Sequence, residues 1–379
     1  MENNDIYISV GEASADFHAS NLVKEIQREM PKIKICGMGG KLMRESGVDI
    51  LIDSSKLAIV GGTDVLKNFH KIFAVMRTVK RLLKTNPPKL IILIDYPGFN
   101  LWLAKTAKKY NIKVLYYISP QIWAWHQSRI KKIKKYVDFM AVVFPFEVKI
   151  YAKAKVPAAF VGHPLVKTVK PTMSATIAKN TFTLNQENKI IGLFPGSRHS
   201  EIKLLLPLML EAAKLLQNKY HNLQFVLPLA SSINEEEILA YTRNIDFKIN
   251  IIKNKNYDVM NVCDAIIATS GTVTLEIALM AIPLVIIYKM AAFNYFFAKR
   301  LVKIPFIGLC NIVAEEKIAE ELIQENATPE NIFQEIDKIL SNSNYREEMI
   351  LKLRETKNKL ENSNQQQNIV TVIKQMLKL

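Results

Sequence analysis

The chain has little cysteine, no long hydrophobic run and no secretory leader, and each absence narrows its class. Three cysteines are scattered through 379 residues without metal-ligand spacing, so neither a disulfide framework nor a zinc site is expected. The longest apolar stretches, such as residues 90–94 and 282–288, are far shorter than the roughly 20 residues of a membrane-spanning helix. The N-terminal residues show neither the basic segment nor the cleavage site of a secretory signal. We therefore expect a cytoplasmic protein without a transmembrane segment.

Acidic residues are scarce relative to basic ones, with 35 Asp and Glu against 51 Lys and Arg and a net charge of +16. A basic chain favours anionic partners, which include nucleic acid, phosphorylated metabolites and acidic lipid headgroups. The lysines are spread along the sequence, and no helix-turn-helix, zinc-finger or aromatic RNA-binding pattern accompanies them. We therefore expect no nucleic-acid binding.

Short apolar runs alternate with helical segments, which predicts parallel β-sheets with helices on both faces. A polar stretch at residues 167–188, with Pro171 near its start, separates two such halves. We predict domains at residues 1–165 and 166–340 and a helical tail at 341–379 that packs on the first domain or on a partner subunit. Two open α/β sheets that face each other predict a ligand cleft outside the carboxyl ends of their strands. The predicted strands are residues 6–10, 90–94, 114–118, 139–143, 190–194, 223–227, 249–252, 265–268 and 284–287.

The first candidate loop, residues 11–16, follows the first predicted strand and contains Glu12, Ser14 and Asp16. Its small residues let the backbone approach a ligand, and the amides of the following helix can hold an anionic group. The loop lacks the G-x-G-x-x-G pattern, so dinucleotide binding is disfavoured. In the alternative interpretation, Ser14 and Asp16 merely cap the helix.

The second candidate loop begins with Asp95, directly after the buried run at residues 90–94, and ends at Asn100. A carboxylate at a strand's carboxyl end can remove the proton of an attacking hydroxyl as a general base. Asp95 followed by Pro97 and Gly98 is also ordinary turn chemistry, and its position alone leaves both roles open.

The third candidate loop holds two tryptophans, Trp123 and Trp125, one residue apart after the strand at residues 114–118. A loop seldom needs so large an aromatic area for packing, so a substrate wall is predicted. A basic helix follows at residues 129–135, and we interpret its charge run as a solvated face.

The fourth candidate loop, residues 194–198, joins a strand to a helix in the second domain and ends with Gly196, Ser197 and Arg198. The serine and the backbone amides can meet phosphate oxygens, and the guanidinium offers a fixed fork of donors. The alternative is an exposed arginine after a tight turn.

The fifth candidate loop, residues 268–276, has the same strand-loop-helix setting and contains Ser270, Gly271 and Thr272. Their hydroxyls and amides lie where the helix macrodipole favours a pyrophosphate. Glu276, one turn further, can accept hydrogen bonds from ribose hydroxyls. Its alternative role is only to stabilise the helix dipole.

In the order in which they occur, these motifs resemble those of the lipid-A-disaccharide synthase family, which has the GT-B fold. The resemblance covers nearly the whole chain. It implies two Rossmann-like doubly wound domains, of which the C-terminal one binds the nucleotide and the N-terminal one the acceptor. The matching motifs are GEAS-x-D at 11–16, IDYPGFN at 94–100, YYISPQIWAW at 116–125, FPFE at 144–147, VGHPL at 161–165, FPGSR at 194–198, TSGTVTLE at 269–276 and AKRLVK at 298–303.

The resemblance also implies roles for single residues. The expected catalytic residues are Glu12, Asp95 and Arg198, with Asp95 as the base or an essential carboxylate. Glu276 is the expected ribose contact, and Asn311 matches a further residue of the family. The expected binding residues are Ser14, Asp16, Asn100, Trp123, Trp125, Gly196, Ser197, Ser270, Gly271, Thr272, Glu276 and Asn311.

The reaction implied by the resemblance joins UDP-2,3-diacylglucosamine to 2,3-diacylglucosamine 1-phosphate through a β-1,6 linkage, with inversion and release of UDP. Because Arg198 and a helix N-terminus can stabilise the leaving diphosphate, we expect neither a metal nor another cofactor. We expect a monomer or homodimer that binds peripherally to the cytoplasmic face of the inner membrane.

Two segments are candidates for contact with an anionic membrane. Residues 70–84 combine basic and apolar side chains without an acid, which is typical of an interfacial helix. Their apolar stripe can equally pack into the first domain. Residues 290–303 form a second aromatic and basic surface.

Other functions remain open at this point. A different UDP-sugar enzyme of the GT-B fold, either a murein-precursor N-acetylglucosaminyltransferase or a UDP-sugar epimerase, would share the nucleotide loops. The IDYPGFN segment and the tryptophan loop, on the acceptor side, distinguish the family named above. A non-catalytic basic protein that binds membranes or nucleic acid is supported by the net charge of +16 alone.

Overall fold

The chain forms two compact units, one made of Met1–Pro164 with Ser363–Leu379 and the other of Leu165–Asn362. Each unit contains one parallel sheet with helices packed on it. Among the residues that the structure describes, no helix has both the length and the apolar character needed to cross a bilayer. The computed structural model describes residues 4–54, 69–124, 128–291, 295, 304–361 and 366–378.

The sheet of the first unit has seven strands, β1 (Ile6–Ser9), β2 (Ile35–Gly39), β3 (Asp49–Asp53), β4 (Leu90–Ile94), β5 (Lys113–Tyr117), β6 (Phe139–Val142) and β7 (Ala158–Phe160). Their order is β3-β2-β1-β4-β5-β6-β7. Every residue of β1 and β4 is buried, as expected for parallel strands covered on both faces. The strand order reverses between β1 and β4, the point beyond which doubly wound sheets bind ligands. The helices of this part are α1 (Ala13–Glu29), α2 (Lys41–Glu45), α3 (Phe69–Thr85), α4 (Pro97–Lys108), α5 (Arg129–Tyr136) and α6 (Pro145–Lys153).

The second unit repeats the arrangement with six strands, β8 (Lys189–Phe194), β9 (Leu223–Leu229), β10 (Ile249–Lys253), β11 (Ala265–Thr269), β12 (Leu284–Tyr288) and β13 (Glu321–Ile323). Their order is β10-β9-β8-β11-β12-β13, so the switch point lies between β8 and β11. All the predicted strands are present in the two sheets. The helices are α7 (Pro164–Thr168), α8 (Ala175–Thr181), α9 (His199–Lys219), α10 (Glu235–Thr242), α11 (Asn256–Val262), α12 (Thr272–Leu279), α13 (Leu309–Ala314), α14 (Pro329–Ser341) and α15 (Ser343–Glu361).

The segment at residues 341–379, predicted as one tail, is divided between the two units. Met349 and Leu353 of α15 are buried in the core of the second unit. The last helix, α16 (Ile369–Leu377), belongs instead to the first unit and buries Ile373 completely. The division follows from which core receives the apolar side chains of each helix.

Helix α3 is buried in one half and exposed in the other. In its C-terminal half, Val79 and Leu83 are buried. Nearer its N-terminus, Phe73 is 53% exposed, and the guanidinium of Arg77 lies 5.4 Å from the centre of its ring. One half of the helix therefore packs into the first unit, while the other offers apolar and basic side chains to the outside. The second predicted surface, residues 290–303, lies largely outside the described residues.

Candidate active site

Asp95 lies at the carboxyl end of β4 in a turn with two consecutive left-handed residues. The angle φ is 47° at Asp95 and 46° at Tyr96, in a region that residues other than glycine rarely adopt. The amide Nδ2 of Asn100 and the hydroxyl of Tyr116 each donate a 2.7 Å hydrogen bond to the carbonyl oxygen of Asp95. Strained turns that are held by surrounding bonds cluster at functional sites. The geometry at Asp95 thus favours a functional role for this residue over that of an ordinary turn residue.

Asn100 is buried beneath this turn, with 0% of its surface exposed. Its Oδ1 accepts a 2.7 Å hydrogen bond from the hydroxyl of Ser9, and its Nδ2 also donates to the carbonyl of Ile94 at 3.2 Å. The structure therefore places Asn100, which the sequence suggested as a substrate contact, in a supporting position.

Glu12 stands next to the Asp95 turn, at the N-cap of α1. Its exposed side chain makes no capping hydrogen bond. Burial, and then the nearby carboxylate of Glu12, raise the pKa of Asp95. The two loops touch at Gly11, where a Cβ atom would lie 2.4 Å from the ring of Tyr96. The pairing of β1 with β4 brings the two carboxylates together.

Ser14 and Asp16 occupy different positions in the same loop. Ser14 is exposed in the first turn of α1. Asp16 is buried, and its carboxylate accepts hydrogen bonds from the amides of Gly40 at 2.7 Å and Leu42 at 2.9 Å. Asp16 therefore caps α2 rather than α1 and fixes the loop that follows β2.

Trp123 is held by a buried carboxylate for which the sequence suggested no role. The indole Nε1 of Trp123 donates a 3.2 Å hydrogen bond to Glu147, which also accepts from the amide of Phe144 at 3.2 Å. Burial raises the pKa of Glu147 to about 7. The indole ring packs edge-on against Phe146, with centroids 5.5 Å apart. Trp125 lies outside the described residues.

In the second unit, the loops after β8 and β11 border one cavity of about 320 Å³. These strands are neighbours at the switch point of the sheet. Within the described ranges, no group of three His, Cys, Asp or Glu side chains is arranged to hold a metal ion. The predicted residues that line the cavity are Gly196, Ser197, Arg198, Ser270, Gly271, Thr272 and Glu276.

Glu201 already engages the first of these loops. Its Oε2 accepts hydrogen bonds from the amides of Ser197 at 3.1 Å and Arg198 at 3.3 Å, and its Oε1 accepts from the Arg198 guanidinium at 2.8 Å. Gly196 has φ of 109°, and a Cβ atom there would lie 2.2 Å from Glu201. The Arg198 side chain is 78% exposed. An anion at this loop would therefore meet the guanidinium rather than the occupied amides.

The second loop presents an open helix N-terminus. Gly271 is the N-cap of α12, and among the described residues no atom other than those of its chain neighbours lies within 4 Å of the position that a Cβ would take. The hydroxyl of Ser270 donates to the carbonyl of Ile307 at 2.8 Å, so the amides at the N-terminus of α12 are the groups of this loop that could hold an anion. Glu276 accepts a 3.0 Å hydrogen bond from the hydroxyl of Tyr257, and burial raises the pKa of Glu276.

Asn311 is fully buried and does not line this cavity. Its Nδ2 donates to Glu321 at 2.9 Å. Glu321 in turn accepts hydrogen bonds from the amides of Ile307 and Gly308, both at 2.9 Å. Through this network Asn311 supports the segment that receives the Ser270 hydroxyl.

Solved structures with the same architecture define the class of the chain. The UDP-GlcNAc 2-epimerase from Neisseria meningitidis, determined with bound UDP-GlcNAc, matches with a TM-score of 0.65 and 11% identity, covering 99% of this chain and 100% of that one. MurG from Acinetobacter baumannii matches with a TM-score of 0.57 and 15% identity, covering 100% of this chain and 99% of that one. At these identities the likeness concerns the fold alone. The chain has the two-domain GT-B fold.

Sequence relatives identify the family. The profile described as lipid-A-disaccharide synthetase matches residues 6–373. The lipid-A-disaccharide synthase of Geobacter metallireducens is 48% identical over 375 residues, which are 99% of this chain and 98% of the relative. That of Coxiella burnetii is 46% identical over 377 residues, covering 100% of both. The chain belongs to the lipid-A-disaccharide synthase family of glycosyltransferases, which act on UDP-sugar and lipid substrates. The sequence resemblance is thereby confirmed, and the non-catalytic alternative is set aside.

Proposed function

We propose that the chain transfers 2,3-diacylglucosamine from its UDP derivative to the 6-hydroxyl of 2,3-diacylglucosamine 1-phosphate. The products are the β-1,6-linked disaccharide 1-phosphate and UDP. The observation that carries this proposal is the family match over residues 6–373. A polar loop at the switch point of each sheet supports it.

The second unit binds the UDP donor in this proposal. Arg198 and the N-terminus of α12 hold the diphosphate, and Glu276 accepts hydrogen bonds from the ribose. The leaving diphosphate gains negative charge in the transition state, which the guanidinium and the helix dipole stabilise. The exposed guanidinium and the open space at Gly271 support this assignment.

The first unit binds the acceptor, and Asp95 is the general base. Its carboxylate takes the proton of the 6-hydroxyl while the hydroxyl oxygen attacks C1 of the donor. The bond from C1 to the diphosphate oxygen breaks, and its electron pair leaves with UDP. Burial and the carboxylate of Glu12 raise the pKa of Asp95, which makes it a stronger base than an ordinary aspartate. Trp123 forms a wall of the acceptor site.

We place the enzyme peripherally on the cytoplasmic face of the inner membrane, where both lipid substrates have their sugars in water. The exposed Phe73 and the basic Arg77 of α3 support contact with an anionic bilayer. Both substrate sites lie on one chain, so the reaction is compatible with a monomer or a homodimer. Co-sedimentation with anionic vesicles that weakens with salt is the expected result.

The proposed reaction is tested by mass spectrometry of the product formed from UDP-2,3-diacylglucosamine and 2,3-diacylglucosamine 1-phosphate. We expect the disaccharide 1-phosphate with the purified chain and none with Asp95→Asn. If the wild-type chain releases UDP without forming the disaccharide, the substrate assignment is wrong. An Asp95→Asn variant that keeps near-normal kcat would remove the general-base role.

A further inference from the structure

An open groove of about 500 Å³ lies in the first unit between α5 and α6. Its volume is within the roughly 300–1,000 Å³ that small-molecule sites occupy. Apolar side chains predominate in its lining, and exposed apolar surfaces of this kind mark binding sites. The groove is lined by Ile122, Trp123, Ile130, Ile150, Lys153 and Ala154.

The wall formed by Trp123 is fixed in place. Its indole N–H, the one polar group of the side chain, donates to Glu147, which is only 1% exposed. The neighbouring Ile122 is 2% exposed and anchors the same loop in the core. Because the polar group of the indole is engaged by the buried carboxylate, Trp123 presents an apolar ring surface to the groove.

The surroundings of the groove are basic. The one acid of α6, Glu147, is buried under Trp123 and adds no negative charge to the surface. Arg129 lies near the Asp95 turn: burial and Asp95 raise the pKa of Tyr116, and the positive charge of Arg129 partly opposes this rise. The basic residues of α5, which contains no acid, are Arg129, Lys131, Lys132, Lys134 and Lys135.

We propose that the groove binds one acyl chain of the lipid acceptor while the basic side chains of α5 hold the phosphate of the same molecule. The inference rests on the acceptor named under the proposed function. Trp123 follows β5, which pairs with β4, and Asp95 directly follows β4, so the groove wall and the base belong to the same edge of one sheet. An acylated sugar phosphate matches both the apolar groove and the basic helix α5. A neutral lipid matches only the groove, and a free sugar phosphate matches only the basic helix.

The experiment compares Ala154→Phe, at the C-cap of α6, which partly fills the groove, with Ala152→Phe, at an exposed position in the last turn of α6 that does not line the groove. The kcat/KM is measured for acceptors with long and with short acyl chains. In Ala154→Phe we expect the ratio of long-chain to short-chain kcat/KM to fall about tenfold, the loss expected when about two methylene groups stay in water. Ala152→Phe is expected to keep the wild-type ratio. An unchanged ratio in Ala154→Phe would overturn the proposal.

A binding readout separates this proposal from the reaction itself. The probe is diacylglucosamine 1-phosphate with a brominated acyl chain, which quenches a tryptophan that it contacts. We expect stronger quenching in the wild-type chain than in Trp123→Phe or Ala154→Phe. Quenching that neither substitution reduces would contradict the groove even if the enzyme is active. A wild-type chain that forms no disaccharide but shows the expected quenching would refute the proposed reaction alone.

Anionic vesicles distinguish a substrate chain from a membrane lipid in the groove. If Ala154→Phe weakens co-sedimentation with vesicles and leaves the chain-length ratio unchanged, the groove holds a membrane lipid and the proposal is wrong. We expect the opposite pattern, with co-sedimentation unchanged and the ratio reduced.

Discussion

The side-chain amide of Asn100 donates a 2.7 Å hydrogen bond to the carbonyl oxygen of Asp95, the proposed base. The bond holds the left-handed turn, and the Oδ1 atom of the same Asn100 side chain accepts a hydrogen bond from the hydroxyl of Ser9 on β1. Asn100 therefore connects the two strands that flank the switch point of the first sheet. We therefore expect the position of the Asp95 carboxylate to depend on this buried side chain.

Asn100→Ala tests that dependence. The substitution leaves the Ser9 hydroxyl and the Asp95 carbonyl with fewer partners in a buried place, so we expect the free energy of unfolding to fall by about 2 kcal/mol. We also expect kcat to fall at least about tenfold, because a misplaced base loses its geometry. Tyr116→Phe removes the other bond to the same carbonyl and keeps the ring, so its effects should be smaller. Denaturant unfolding and steady-state kinetics measure both, and a normal kcat in Asn100→Ala would contradict the supporting role.

The carboxylate of Glu12 is expected to add to the effect of burial and move the acidic limit of activity to higher pH. Burial and Glu12 both raise the pKa of Asp95, and the base must be ionised to act. Activity is therefore lost as the pH falls through this raised pKa. Glu12→Gln removes the repulsion between the two carboxylates, so the acidic limb of the kcat/KM profile should move to lower pH. This shift is expected even if the maximal kcat/KM of the variant differs from that of the wild type. Glu45→Gln, at an exposed carboxylate on α2, is the control, and a limb that moves equally in both variants would refute the coupling.

The sequence could predict where Asp95 lies but not its conformation. Residues 90–94 are an unbroken apolar run, which is sufficient to place the carboxylate at the end of a buried strand. The left-handed turn depends on Asn100 and Tyr116, and Tyr116 comes from a neighbouring strand 21 residues away in sequence. Such long-range contacts have no local pattern.

Strand β2 was not predicted because its two glycines weaken the strand signal. A Cβ atom at Gly37 would lie 2.1 Å from the carbonyl oxygen of Ile8 on β1, so the glycine permits a close approach of the two strands. Glu201 is different, since a glutamate in the first turn of a helix is recognisable in sequence as a side chain that can accept hydrogen bonds from the free amides at the helix N-terminus. Asn311 has no such signal, and its burial against Glu321 is visible only in the fold.

Glu147→Gln should change how stability depends on pH. Burial raises the pKa of Glu147 from 4.5 to about 7, so the folded chain binds this proton more tightly than the unfolded chain does. Its contribution to stability is complete below the unfolded pKa and is lost as the pH rises from about 4.5 to about 7. Relative to Glu147→Gln, the wild-type free energy of unfolding should fall by roughly 3 kcal/mol across this range. Denaturant unfolding at several pH values measures the difference, and a constant difference would contradict the raised pKa.

Arg198→Ala should weaken the affinity for UDP. The guanidinium is the exposed cation of its loop, and the loop amides of Ser197 and Arg198 are occupied by Glu201. We expect Kd for UDP, measured by calorimetry, to rise about tenfold or more, the usual loss of a charge-assisted hydrogen bond. Lys203→Ala, at an exposed position on the same helix α9, should leave Kd nearly unchanged. Equal losses in the two variants would indicate a general effect of charge and not a contact with the diphosphate.

Activity is expected to be independent of divalent cations. In the proposed reaction the charge that develops on the diphosphate is met by Arg198 and by the N-terminus of α12, where Gly271 leaves open space. Initial rates of disaccharide formation should therefore agree within about twofold with EDTA and with added magnesium, since the cationic and dipolar groups are already in place. Arg198→Ala serves as the comparison: without the guanidinium, magnesium should restore part of the rate. A wild-type rate that disappears in EDTA and returns with magnesium would show that the protein groups alone do not stabilise the leaving UDP.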